Sequence, residues 1–112
     1  MEVARDYDRL RECALAQMEY AARARAAGRR ADEVPEPDIP PEYESWLAFL
    51  ARTERRRTVG AWRAMPLHAD VARGLEILEE ARAEFRRTHR ECSNCGNWMP
   101  AYAKRCVCGN DL

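Results

Sequence analysis

No stretch of this chain approaches the roughly eighteen consecutive apolar residues that a membrane-spanning helix needs. The first ten residues, MEVARDYDRL, also lack the apolar centre of a secretory signal. These two absences place the chain in a reducing cytoplasm, with no membrane contact. Lysine is nearly missing, Lys104 being the only one, and histidine occurs only as His68 and His89. With so few acid–base groups, no glycine-rich phosphate loop, no nucleophile beside a base and no inward carboxylate pair, the sequence is that of a non-catalytic protein. Net charge is absent too, since 19 basic residues balance 19 acidic ones, and this argues against indiscriminate attraction to nucleic acid.

What charge there is lies in blocks. Residues 32–50 hold Asp32, Glu33, Glu36, Asp38, Glu42 and Glu44 and no base. Residues 52–63 then hold Arg52, Arg55, Arg56, Arg57 and Arg63 against Glu54 alone. Arginine at a helix end is explained by the negative pole of the helix dipole, and equally suits bidentate contact with phosphate or carboxylate.

The apolar pattern is helical. In residues 2–27, Val3, Tyr7, Leu10, Ala14, Gln17 and Ala21 fall at heptad spacing, and Gly28 is a natural stop. Cys13, beside Leu10 and Met18, reads as a spare buried thiol. Residues 29–41 carry prolines at 35, 37, 40 and 41 and form an extended linker. A second helix spans about 41–57, with Tyr43, Trp46, Leu47 and Leu50 on its apolar face. Gly60 breaks the next stretch, where Val59, Trp62 and Met65 form at most a capping turn. A third helix spans about 66–89, with Leu67, Val71, Gly74, Leu78, Ala81 and Phe85 in heptad register. The expected fold is mainly α: a helical hairpin or three-helix body over residues 1–90, with a small module at 91–112. The stripes read as internal core. The competing reading is a homo-oligomer, paired through the small positions Ala14, Gly74 and Ala81.

That terminal module holds four of the five cysteines, as Cys92-x2-Cys95 and Cys106-x-Cys108. Twenty residues cannot bury a core alone and need a metal or disulfides to fold. Two close thiol pairs on short loops suit one tetrahedral Zn²⁺ at about 2.3 Å from each sulfur. Four thiolates fill that shell, so the ion is structural rather than catalytic. Other readings stay open at this point: His89 replacing a cysteine, an iron–sulfur cluster, or two disulfides.

The module resembles the short bacterial and archaeal zinc ribbons of the double-zinc-ribbon type. Gly96, Pro100, Ala103, Lys104, Cys106, Gly109 and Leu112 occupy the places that pattern assigns. The resemblance covers about a fifth of the chain and departs from the pattern at Cys106-x-Cys108, where two intervening residues are usual. It implies one structural Zn²⁺ on Cys92, Cys95, Cys106 and Cys108. It does not select a role, since such ribbons serve as nucleic-acid readers, protein docks and structural clips.

Between the cysteine pairs, Trp98, Met99 and Tyr102 either cover the metal or form an exposed patch, with Lys104 and Arg105 beside them. The leading expectation is an accessory or adaptor protein that docks on a protein partner within a larger assembly. The alternative is a nucleic-acid-binding regulator using Arg55, Arg56, Arg57, Arg63, Arg86, Arg87, Arg90, Lys104 and Arg105, with Trp98 and Tyr102 as further contacts.

Overall fold

A computed structural model describes residues 6–57 and 67–112. The expectations for Val3, for the turn around Gly60 and for Arg63 lie outside the described residues. The fold is mainly α. Helices α1 (Tyr7–Ala27), α2 (Pro41–Arg57) and α3 (Ala69–Thr88) are followed by strands β1 (His89–Glu91) and β2 (Trp98–Pro100). Among the described residues, no helix is long and apolar enough to cross a membrane.

Each helix boundary has a local cause. Asp6 precedes α1 without being helical, and its Oδ1 accepts the Arg9 backbone N–H at 3.1 Å. That is an N-cap, so α1 begins at Tyr7; the expected helix over residues 2–5 lies outside the described residues. Gly28 ends α1 with φ 59°, the left-handed conformation that favours glycine. The chain does not extend at once after it. Gly28–Glu33 form 3₁₀ turns kinked at Arg30 (φ −100°, ψ 18°), with no proline to interrupt before Pro35, and Val34 is the first extended residue. The Pro40 carbonyl accepts from Tyr43 and Glu44, leaving Pro41 at the first helical position of α2. α3 begins later than its prolyl signal at 66. His68 caps it, with its carbonyl accepting from Val71 and Ala72 and its Nδ1 from Asp70 N–H. At the other end, α3 stops at Thr88, one residue early, because His89 enters the ladder of β1.

The chain divides into two compact units. The first comprises residues 1–14 and 38–81. Its buried apolar residues are Leu10, Cys13 and Ala14 from α1, Tyr43, Leu47 and Leu50 from α2, and Ile77, Leu78 and Ala81 from α3. Gly74 is required by close packing here. A Cβ at that position would lie 2.7 Å from Leu50 Cδ2 and 2.9 Å from Cδ1. At its edge the Tyr7 hydroxyl donates to Asp70 Oδ1 at 3.0 Å, and Arg73 lies over the Tyr7 ring. Burial raises the Cys13 thiol above its ordinary pKa, as fits an inert core cysteine.

The second unit comprises residues 15–37 and 82–112. β1 and β2 pair antiparallel, His89 opposite Pro100 and Glu91 opposite Trp98. Bonds from Ala101 N–H to Thr88 and from Cys92 N–H to Asn97 extend the ladder at both ends. Phe85 is buried under this hairpin, stacked on His89 at 4.0 Å and tilted against Trp98 at 5.6 Å.

Candidate metal centre

The four cysteines of the second unit converge. Their sulfurs all lie within 4.8 Å of one another. Cys92 Sγ stands 3.7 Å from Cys108 Sγ, and Cys95 Sγ stands 3.4 Å from Cys106 Sγ. A tetrahedron with sulfur about 2.3 Å from its centre has edges of about 3.8 Å, so the spacing suits an ion at the middle. It does not suit disulfides, whose sulfurs are bonded at about 2.05 Å. All four cysteines are free thiols.

Two turns build the site. In the first, Gly96 N–H donates to the Cys92 carbonyl at 2.9 Å; in the second, Gly109 N–H donates to the Cys106 carbonyl at 2.9 Å. Both glycines have positive φ, 78° and 91°. The second turn closes in the same way with one residue fewer, which accounts for Cys106-x-Cys108. It sits at the tip of a short reversal fixed by Cys106 N–H to Asn110, by Leu112 N–H to Lys104, and by Arg105 Nε donating to Asp111 Oδ1 at 3.4 Å.

The electrostatics also favour a cation. Hydrogen bonds from the Cys95 and Asn94 backbone N–H groups outweigh burial and bring the Cys92 thiol down to about 6. The Asn94 side-chain amide, with the Asn110 N–H, lowers Cys108. Cys106 goes the other way. The Cys108 N–H favours its thiolate, but burial and the neighbouring thiols outweigh that and push it up to about 12. Four negative charges cannot share this space unaided. A divalent ion would neutralise two of them and displace the last proton.

Among the described residues, the metal-ligating cluster is these four cysteines and excludes His89. That histidine is held instead by Phe85, through ring stacking and a 3.1 Å contact between Nδ1 and the Phe85 carbonyl. The aromatic pair splits between its two readings. Trp98 is half-buried against Phe85, whereas Tyr102 is 87% exposed. Lys104 and Arg105 are exposed, and Arg105 is paired with Asp111. Arg55, Arg56 and Arg57 belong to the first unit. Each of these three arginines is engaged in an interaction of its own.

Three participants carried no sequence signal of their own. Arg25 of α1 reaches the first turn and donates from Nη2 to the Cys95 carbonyl at 3.4 Å. Asn94 and Asn110 donate from Nδ2 to sulfur, at 3.5 Å to Cys108 and 3.8 Å to Cys92. Beside the site, a groove of about 420 Å³ runs between α1 and the hairpin, lined by Leu15, Ala22, Ala26, Trp98, Met99 and Tyr102 among others. No family model, curated protein or solved structure matches the chain.

Proposed function

We propose that this chain is a non-catalytic adaptor whose C-terminal zinc ribbon is a structural staple presenting a protein-docking surface. Zinc is favoured over other ions by an all-sulfur, tetrahedral, short-loop ligand set. Catalysis is disfavoured because four thiolates leave no coordination position for substrate or water. The observation that carries the docking role is Tyr102. It is 87% exposed, on the segment between the two cysteine pairs, at the lip of a mainly apolar groove. An exposed aromatic on a rigid support is an economical anchor, since it adds contact area at little entropic cost.

Three arginines weigh toward a protein partner over nucleic acid. Arg105 pairs with Asp111, Arg87 with Glu84, and Arg73 with both Glu76 and Glu80 at 3.0 Å. These exposed pairs lower, without removing, the charge each arginine offers to a phosphate backbone.

Affinity capture from native extract, run with wild type and Tyr102→Ala side by side, tests this reading. A protein partner retained by wild type and at least tenfold depleted with the variant, at unchanged metal content, is the expected result. Nuclease-sensitive capture, together with heparin elution well above physiological salt, would contradict it.

A further inference from the structure

Each cysteine turn carries an asparagine two residues after a cysteine: Asn94 after Cys92, and Asn110 after Cys108. Their amides are exchanged between the turns. Asn94 Nδ2 donates to Cys108 Sγ at 3.5 Å, and Asn110 Nδ2 donates to Cys92 Sγ at 3.8 Å. A thiolate can only accept, so it selects the NH₂ side of each amide. The second proton of Asn110 Nδ2 serves the Asp111 carbonyl at 3.1 Å. Cys95 and Cys106 receive no side-chain amide among the described residues. The two cysteines so served are an unlike pair, Cys92 buried and Cys108 exposed, with sulfurs 3.7 Å apart.

Resting on the metal reading above, we propose that Asn94 and Asn110 form a reciprocal brace that retains the ion. Each turn reaches across to the sulfur supplied by the other. Neither Cys92 nor Cys108 can then swing off the metal without breaking a hydrogen bond to the opposite turn. The brace matters most at Cys108, which lies open to water and would otherwise be the first sulfur to leave. Charge-assisted donors stabilise the thiolate and so the metal–sulfur bond. Asn94 and Asn110 are positioning residues: they touch the ligands and not the ion.

The test uses the full chain loaded with Co²⁺, whose sulfur-to-metal charge-transfer absorption reports four-thiolate ligation, and follows transfer of the ion to excess chelator. Asn94→Ala and Asn110→Ala are each expected to release the ion about tenfold faster. Asn94→Asp is the decisive variant. Aspartate keeps the shape and turn-forming capacity of asparagine but sets a carboxylate against a thiolate, so release should be faster still than with alanine. Wild-type release rates in both the alanine and aspartate variants would overturn the brace. So would rescue by aspartate, or failure of the alanine variants to develop the full absorption at saturating Co²⁺, since either would make the asparagine a turn-builder. Absence of the four-thiolate absorption in wild type would instead overturn the underlying metal reading.

Discussion

Chelation of the metal, or Cys95→Ser, is expected to unfold the second unit and leave the first folded. Among the described residues, the second unit buries only Phe85, Cys92 and Cys106 below about a tenth exposure. Two of those three are members of the thiol cluster. So small a core does not offset the chain entropy of residues 82–112. A structural Zn²⁺ contributes on the order of 10 kcal/mol to the folding of modules of this kind. Without it the Cys92 and Cys106 turns lose their common centre, and β1 and β2 have only three facing pairs to hold them. The loss should extend beyond the cysteine segment. Arg25 loses its carbonyl partner on Cys95, and Leu15, Ala22 and Ala26 lose the hairpin side of their groove. Hydrogen exchange read by mass spectrometry should therefore show prompt exchange over residues 89–112, weakened protection over 15–27, and retained protection over α2. Exchange confined to 89–112 would show that the second half of α1 stands without the hairpin. Loss over the whole chain would show a single cooperative fold.

The second large effect belongs to the first unit. Leu50→Ala is expected to cost about 2–5 kcal/mol in urea unfolding, because Leu50 is 0% exposed and seats against Gly74. That is a large share of the about 5–15 kcal/mol a domain of this size possesses. The same contact makes a distinctive coupling. In the wild-type background, the added methyl of Gly74→Ala would lie 2.7 Å from Leu50 Cδ2, and Leu50 is too enclosed to swing away. Overpacking of this kind costs about 1–3 kcal/mol, more than the about 1 kcal/mol that alanine gains over glycine in a helix. In the Leu50→Ala background the obstruction is gone and Gly74→Ala should stabilise. A substitution that changes sign with its neighbour's identity is what direct packing predicts. Independent effects at the two sites would refute the packing.

Much of this was legible because local chemistry decides it. Gly28 ends α1, Pro41 starts α2, and two glycine-closed turns present the cysteines; each is written within a few residues. Gly74 was visible as a small residue in heptad register, but nothing in the pattern shows that Leu50 fills the space it leaves. The start of α3 was obscured by competing signals. Pro66 is a strong prompt for a first helical turn, yet His68 supplies the cap, a role histidine takes less often than Ser, Thr, Asp or Asn. The 3₁₀ helix at Gly28–Glu33 was hidden by the prolines beyond it, which constrain their own surroundings and not the residues before Val34. At the candidate centre, the clustering of the four cysteines was readable from their spacing. Its supports were not. Arg25 meets Cys95 across 70 residues, and Asn94 and Asn110 look like ordinary turn residues until the two turns are brought together.

The proposed stability of the second unit depends on one ion held by four sulfurs. Native mass spectrometry of the chain, freshly purified without added reductant, addresses that directly. One Zn²⁺ per 12.9 kDa chain is expected, and its loss in Cys95→Ser and in Cys106→Ser. Bound iron with sulfide, or a metal-free chain lighter by the four hydrogens of two disulfides, would contradict it.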